Sequence, residues 1–377
     1  MLERARIAER WHTQRWDSLC FQFPNWAIEL PGHPPYAGSA PDAFAHRSEI
    51  WGFLENYAAA IRAPLRCGVD VTVLRRDDKG GYVLTTAQGA LRARRVVVAT
   101  GPYQHARIPP LHQGLPPSVL QVHAGDYRNP ASLAEGAVVV VGSGASGCQI
   151  ADELVEAGRR VHLCVGRHQR VPRRYRGRDA FWWRRELGQL DQTAAAVPPE
   201  RRLPPPLVTG AHGGYDVDLR QSAARGLLLL GHLQGIDDGR MHFVDDLDAL
   251  LRAGDRSLDD FLASVDQHVE RTGLDAPPAL QRDVSPPPAA TSPTQLDVRT
   301  ERIGSVIWAT GYRFDFGWVE LPVFDAVGTP IHKRGATALP GLYVLGLPWL
   351  HKRKSTFLAG VGDDAAFIAD AIAGAGA

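Results

Sequence analysis

The stretch Ala137 to Gly166, AVVVVGSGASGCQIADELVEAGRRVHLCVG, reads as one complete supersecondary unit. The apolar run Val138 to Val141 has the composition of a buried strand and feeds the glycine loop Gly142-Ser143-Gly144-Ala145-Ser146-Gly147. An amphipathic segment carrying Ile150, Leu154 and Val155 predicts a helix, and Val161 to Val165 predicts the returning strand. Strand, GxGxxG, helix, strand is a dinucleotide-binding βαβ unit. In it Gly142 permits the tight turn, Gly144 lets backbone approach a pyrophosphate, and Gly147 lets helix and strand pack closely. The helix N-terminus offers free N–H groups and a positive dipole end to phosphate. Glycine-rich loops are common; the flanking strands at this spacing are what make the signal specific.

A loop of this type that binds NAD usually carries an acidic residue about 20 positions on, against the ribose hydroxyls. Here the second strand runs instead into Gly166-Arg167-His168, with Arg170, Arg173 and Arg174 following. Guanidinium groups suit a 2′-phosphate, so NADPH is favoured over NADH, with Arg167 and His168 as the candidate contacts. A merely solvated basic loop is the plain alternative.

Two further strands end alike. Val96-Val97-Val98-Ala99-Thr100-Gly101 and Val306-Ile307-Trp308-Ala309-Thr310-Gly311 flank the glycine-loop unit on either side. They resemble the crossovers of flavoproteins with two dinucleotide sites, in which a nicotinamide domain is inserted into an FAD domain. The runs Ala8-Glu9-Arg10-Trp11 and Arg15-Trp16-Asp17-Ser18-Leu19 make the resemblance more specific, as do His123 to Pro130, Pro172 to Asp179 and Ser355 to Ala365. Nearly the whole chain resembles the flavin-containing monooxygenases, in a bacterial branch near the indole-3-pyruvate monooxygenases, most weakly between about Glu186 and Asp297.

The resemblance implies an α/β protein with two Rossmann-like domains. FAD-binding segments would span 1–125 and 301–377, and an NADP-binding domain with a proline-rich insertion would span 126–300. One departure is large: the family opens with a strand and glycine loop for the FAD pyrophosphate, and this sequence begins after them. Glu3 then falls where the family's acidic residue holds the adenosine ribose, and the first βαβ unit of the FAD domain is truncated. Either Met1 is a misplaced start, with roughly 30 residues preceding it in the natural protein, or FAD binding has been lost. The intact remainder of the pattern favours the first.

By the same resemblance NADPH reduces FAD, and a C4a-hydroperoxyflavin delivers one atom of O2 to a small organic substrate. Thr100, Gly101, Thr310, Gly311, Ser355 and Asp364 become candidate FAD contacts, Asp364 near a helix start aimed at the flavin, and Trp11 a ring-packing one. For Asp364, simple helix capping is the competing reading. Gln22 sits where the family often places a catalytic amide or imidazole; a half-exposed Gln in an aromatic loop is the competing reading. His123 is open to acid–base work or, more in keeping with its place between domains, to a hinge. An NADPH oxidase or reductase, and an FAD-free degenerate NADP-binding protein, are the rival functions.

Composition bounds these readings. The chain has 377 residues, 44% hydrophobic and 22% charged, enough for two domains with real cores. With 42 basic and 41 acidic residues there is no global field to draw it to nucleic acid. No apolar run approaches the roughly 18 residues of a membrane span, and no signal or transit peptide is recognisable, so a cytoplasmic protein is expected, with a homodimer left open. Cys20, Cys67, Cys148 and Cys164 form no CxxC pair, and no metal-ligand spacing occurs. Around the central unit, a helix is expected from about Arg47 and a three-stranded meander over 69–99. A hairpin is expected from 227–233 and 241–244, and a helix bearing Leu258, Phe261, Leu262 and Val265. Pro204–Pro206 and Pro286–Pro288 read as loops.

Overall fold

The computed structural model describes residues 1–279 and 292–374. Its organising element is a five-stranded parallel sheet in the order Leu228–Leu230, Val161–Cys164, Ala137–Val141, Ile303–Trp308, Leu120–His123. Every residue of Ala137–Val141 is buried, as a strand covered on both faces requires. Its side chains alternate between two cores. Val138 and Val140 pack with Ile150, Leu154, Leu163 and Ile307 on the side of the helix Ala145–Glu156. Val139 and Val141 pack on the other side with Cys164, Met241, Val306 and Trp308.

The strand Ile303–Trp308 enters this sheet from far along the chain, pairing with Ala137–Val141 on one edge and Leu120–His123 on the other. The expected domain division at 125 and 301 leaves Leu120–His123 and Ile303–Trp308 outside the nicotinamide domain; by hydrogen bonding they belong to the sheet of Ala137–Val141. The remaining half has the expected antiparallel meander, Val71–Arg76, Tyr82–Thr86 and Gly89–Ala93. The third expected strand breaks at Arg94-Arg95, and Val96–Val98 pairs instead, in parallel, with Leu342–Val344. Leu74, Tyr82, Val98, Phe316 and Leu342 form the core there. The helix Arg47–Ala60 starts with a capping box: the His46 ring accepts from the Ser48 N–H while the Glu49 carboxylate accepts from the His46 N–H.

Two other expectations shift. Leu228–Leu230 joins the parallel sheet beside Val161–Cys164, and the hairpin is made by Leu233–Asp237 with Arg240–Phe243, turning at Asp238-Gly239. As an edge strand, Leu228–Leu230 buries Leu230 in the core while Leu228 stays open to solvent. The expected helix around Leu258 extends over Leu247–Thr272. Pro286–Pro288 lies outside the described residues.

Where the chain passes between halves, its two crossings lie side by side. His105–Ala106 pairs antiparallel with Tyr312–Arg313, directly after the Ala-Thr-Gly ends of their strands. Among the described residues the second half contains no glycine-loop βαβ unit of its own.

Close approach sets the geometry of the one such unit present. A Cβ on Gly147 would lie 1.9 Å from the Gly142 carbonyl oxygen, and one on Gly142, at φ +106°, would lie 2.6 Å from the Ala309 oxygen. Both obstructions are backbone and cannot swing aside. Gly144 meets nothing within 4 Å. Gly147→Ala is therefore expected to cost on the order of 2 kcal/mol or more, and Gly144→Ala to stay within about 0.5 kcal/mol, read from urea unfolding midpoints.

Candidate functional site

The site starts at the carboxyl ends of the parallel strands, where such sheets receive ligands. The loop after Val141 is pinned from three sides. Gly142 N–H donates to the Cys164 carbonyl at 3.1 Å, the Ala309 N–H donates to the Val141 carbonyl at 2.9 Å, and the Gly166 N–H donates to the Ser143 hydroxyl at 3.0 Å. Ser143 is 2% exposed, so its side chain ties the loop to the neighbouring strand, leaving Gly144, Ala145 and Ser146 as the outward face. The helix that follows has Gly144 at its N-cap with no side-chain cap and no acidic residue in its first turn. Its leading N–H groups and positive dipole end face outward without a local anion.

The arginine-rich segment divides sharply. Arg167 is exposed and makes no hydrogen bond or ion pair with the described residues, directly beyond the second strand. His168 turns inward: it is 7% exposed, its Nδ1 lies 3.0 Å from the Gly166 carbonyl, and its ring packs on Gly254. Gly254 has no room for a Cβ, which would stand 2.5 Å from His168 Nε2. Burial pushes the His168 pKa down, and a neutral, enclosed ring is no phosphate ligand. Arg170 pairs with Asp218 and Asp255, and Arg173 grips Asp179 through two hydrogen bonds of 2.8 and 2.6 Å. These two arginines are structural.

Arg173 also reaches across to the N-terminal half, donating to the Gln22 carbonyl at 2.9 Å. Gly210 lies so close to the Phe21 carbonyl that a Cβ there would be 2.1 Å away. This anchoring was not legible beforehand, because Gly210 meets Phe21 and Phe44 only through the fold. The Gln22 side-chain amide makes no hydrogen bond with the described residues. Beside it Phe23 packs on Phe181 and Phe357, with ring centroids 4.4 and 4.9 Å apart, closing the seam with apolar surface.

His123 lies at the end of its strand, 3% exposed. Its Nδ1 accepts from the Gly125 N–H at 3.1 Å, which fixes the tautomer, so Nε2 carries the proton and donates to the Gly311 carbonyl at 2.9 Å. Both nitrogens are committed to backbone. The ring ties the end of its strand to Gly311 beside the paired crossings, and neither nitrogen is left open for acid–base work.

The other candidate residues fall toward both ends of the chain. Glu3 Oε1 accepts from the Ala5 N–H at 3.1 Å, and Leu2 bridges to Arg66 in parallel. Trp11 packs edge-on against Phe21 with Arg15 over its face. Thr100 accepts from Gln104 at 2.9 Å, and Thr310 donates to the Arg107 carbonyl, so both hydroxyls bind protein. Gly101, Gly311 and Gly346, all at positive φ, have nothing within 4 Å of where a Cβ would stand. Ser355, fully buried, accepts from the His351 and Lys352 N–H groups and serves its own turn. Asp364 is 1% exposed and neither carboxylate oxygen has a hydrogen-bond partner; His351 Nδ1 is 3.8 Å away. The helix containing Asp364 begins at Leu358, not beside it, so Asp364 sits in the second turn and does not cap.

Comparison with known proteins agrees with this layout. The profile of the pyridine nucleotide-disulphide oxidoreductases matches residues 10–180. An uncharacterized CzcO-like oxidoreductase of Geobacillus kaustophilus is 33% identical over 96% of this chain and 87% of its own length. The chain belongs to the CzcO-like oxidoreductase family. An indole-3-pyruvate monooxygenase of Oryza sativa is 28% identical over 44% of this chain and 41% of its own. The flavin-containing monooxygenase of Stenotrophomonas maltophilia superposes with a TM-score of 0.64 at 19% identity, covering 97% of this chain and 87% of that one. The resemblance to flavin monooxygenases, and the α/β fold with two dinucleotide-binding domains, are upheld; this member of the CzcO-like family is an oxidoreductase on that fold. Among the described residues no helix is long and apolar enough to cross a membrane, and no cluster of three or more His, Cys, Asp or Glu could hold a metal.

Burial also holds the pKa of His123 below its ordinary 6.5. The native state refuses a proton that the unfolded chain accepts, so stability is complete above about pH 6.5 and falls as pH drops below it. A urea midpoint measured at pH 5.5 is expected below that at pH 7.5. His123→Gln, lower at both, is expected to show a smaller difference between them.

Proposed function

We propose that this CzcO-like oxidoreductase is an FAD- and NADPH-dependent monooxygenase that inserts one atom of O2 into a small organic substrate. The observation that carries the reading is the exposed Gly144 at an uncapped helix end, with the free guanidinium of Arg167 just beyond the adjacent strand. In this reading the Gly144 to Gly147 amides hold the NADPH diphosphate and Arg167 holds its 2′-phosphate. A carboxylate at Arg167 would favour NADH, and none stands there.

The residues suited to a flavin fit its ring end. Gly101, Gly311 and Gly346 leave open backbone for a flat ring to approach, and Asp364 is a buried acceptor without a donor, suited to a ring N–H. The FAD diphosphate finds no second glycine-loop crossover among the described residues. FAD, when bound, supplies the hydride acceptor and the O2-activating centre. The chain's own contribution is positional. Gln22 offers an unengaged amide at the seam, able to donate without titrating. Phe23, Phe181 and Phe357 exclude water there, and His123 holds the crossings in register.

Gly144→Asp places a negative charge in open space where it also caps the helix. It is expected to leave the unfolding midpoint unchanged or raised while weakening NADPH binding at least ten-fold, measured by calorimetry. Arg167→Ala is expected to weaken NADPH binding about ten-fold, equivalent to about 1.4 kcal/mol, with NADH binding unchanged; an equal loss for both nucleotides would remove Arg167 from the phosphate. The purified protein supplied with FAD is expected to be yellow, absorbing near ~450 nm, and to consume NADPH under O2. A colourless protein that binds NADPH and takes up no FAD would replace this reading with that of an FAD-free NADP-binding protein. Peroxide release equal to NADPH consumption with every substrate tried would replace it with an oxidase.

A further inference from the structure

A cavity of about 420 Å³ lies away from the glycine loop, around the outer edge of the parallel sheet. Leucines make its walls, with Leu228 to Leu230 on the edge strand and Leu227 just before it, Leu247 and Leu251 on the long helix, and Leu296 opposite. Its polar groups are few: His162, Gln295, the ion pair of Arg160 with Glu301, and Arg220, which is held by Asp255 at 2.8 Å.

His162 is the anomaly. It is 4% exposed, and neither ring nitrogen has a hydrogen-bond partner. Its neighbours in the sheet, Val139 and Leu228, are apolar. A buried polar group without a partner costs roughly 1–3 kcal/mol, and buried side-chain polar atoms are paired in the large majority of cases. A single water, whose share of liquid volume is about 30 Å³, would not fill this space. Burial, reinforced by the positive charge of Arg160, holds the His162 pKa down to about 4, so the ring is neutral at pH 7 and offers one donor and one acceptor.

The lining selects the class of occupant. An aliphatic wall with few convergent polar groups is the usual make-up of a small-molecule site. The two guanidiniums of the lining are each held by a carboxylate, Arg160 by Glu301 and Arg220 by Asp255, which leaves the unpartnered His162 ring as the buried polar group a ligand would meet. We infer that this cavity is a second ligand site, taking a small amphipathic monocarboxylate whose apolar body packs on the leucines and whose carboxylate accepts from His162. It is distinct from the nucleotide site, because the lining residues Arg160 and His162 precede or lie early in their strand whereas the glycine loop meets that strand at its far end, through Cys164 and Gly166. The two sites share that strand; the inference does not depend on the monooxygenase reading.

The test uses octanoate on the full chain, with 1-octanol as its neutral counterpart. Octanoate is expected to bind at least ten-fold more tightly than octanol by calorimetry. It is also expected to be taken up with a proton, since a carboxylate beside His162 raises the ring's pKa; heats measured in buffers of different ionisation enthalpy read this out. His162→Leu is expected to weaken octanoate at least ten-fold. Leu228→Asp, at a position already 40% exposed and so tolerant of the change, is expected to do the same while circular dichroism and NADPH affinity stay unchanged. Octanol binding as tightly as octanoate, octanoate binding untouched by Leu228→Asp, or no heat up to millimolar octanoate would each overturn the inference. Light scattering that shows Leu228→Asp splitting a dimer, with octanoate inert, would instead assign the face to a second copy of the chain.

Discussion

Backbone touching backbone at the turn after Val141 is the constraint on which the architecture rests. Gly147 packs against the Gly142 carbonyl, and Gly142 packs against the Ala309 carbonyl of a strand contributed from far along the chain. These contacts leave no volume for a side chain, and together they fix the helix to two strands at once. The inserted strand Ile303–Trp308 is thereby both a sheet member and the back wall of the glycine loop. Its apolar run is buried on both faces by the cores it separates, which offsets the entropy of closing so long a loop.

That arrangement also shapes the electrostatics. The open end of the helix after Gly144 has no capping side chain, while the nearby acids are already spent on other partners. Asp218 and Asp255 hold Arg170, Asp179 holds Arg173, and Asp152 accepts from Tyr215 and Ser222. Each pairing removes a carboxylate from competition for the dipole or for Arg167. The Arg173–Asp179 pair is almost wholly buried, and with its geometry satisfied it acts as a rigid post for the loop bearing Gln22.

The parts legible in the sequence are those set by local pattern. The glycine loop, its helix and the two strands ending in Ala-Thr-Gly were readable because period and steric need lie within a few residues. The place of His123 between domains was readable from its position, though its loss of acid–base freedom depends on Gly125 and Gly311. Reading stops where a distant partner decides. His168 follows Arg167 in sequence yet turns inward, because Gly254 leaves a hollow for its ring. The leucines at 228–230 carry no mark separating a hairpin from a parallel edge strand. For Asp364 the competing reading of helix capping is the one that lapses, since the helix extends a full turn and more before it.

The paired crossings, His105–Ala106 against Tyr312–Arg313, have a mechanical meaning. A single peptide link would act as a ball joint, free to swivel about every axis. Two links laminated by main-chain bonds, with the His123 imidazole riveted to Gly311 beside them, resist torsion and splaying alike. What survives is flexing about one line running across the ribbon. The two halves of this molecule are thus joined by a laminated ribbon and not by a lone length of chain.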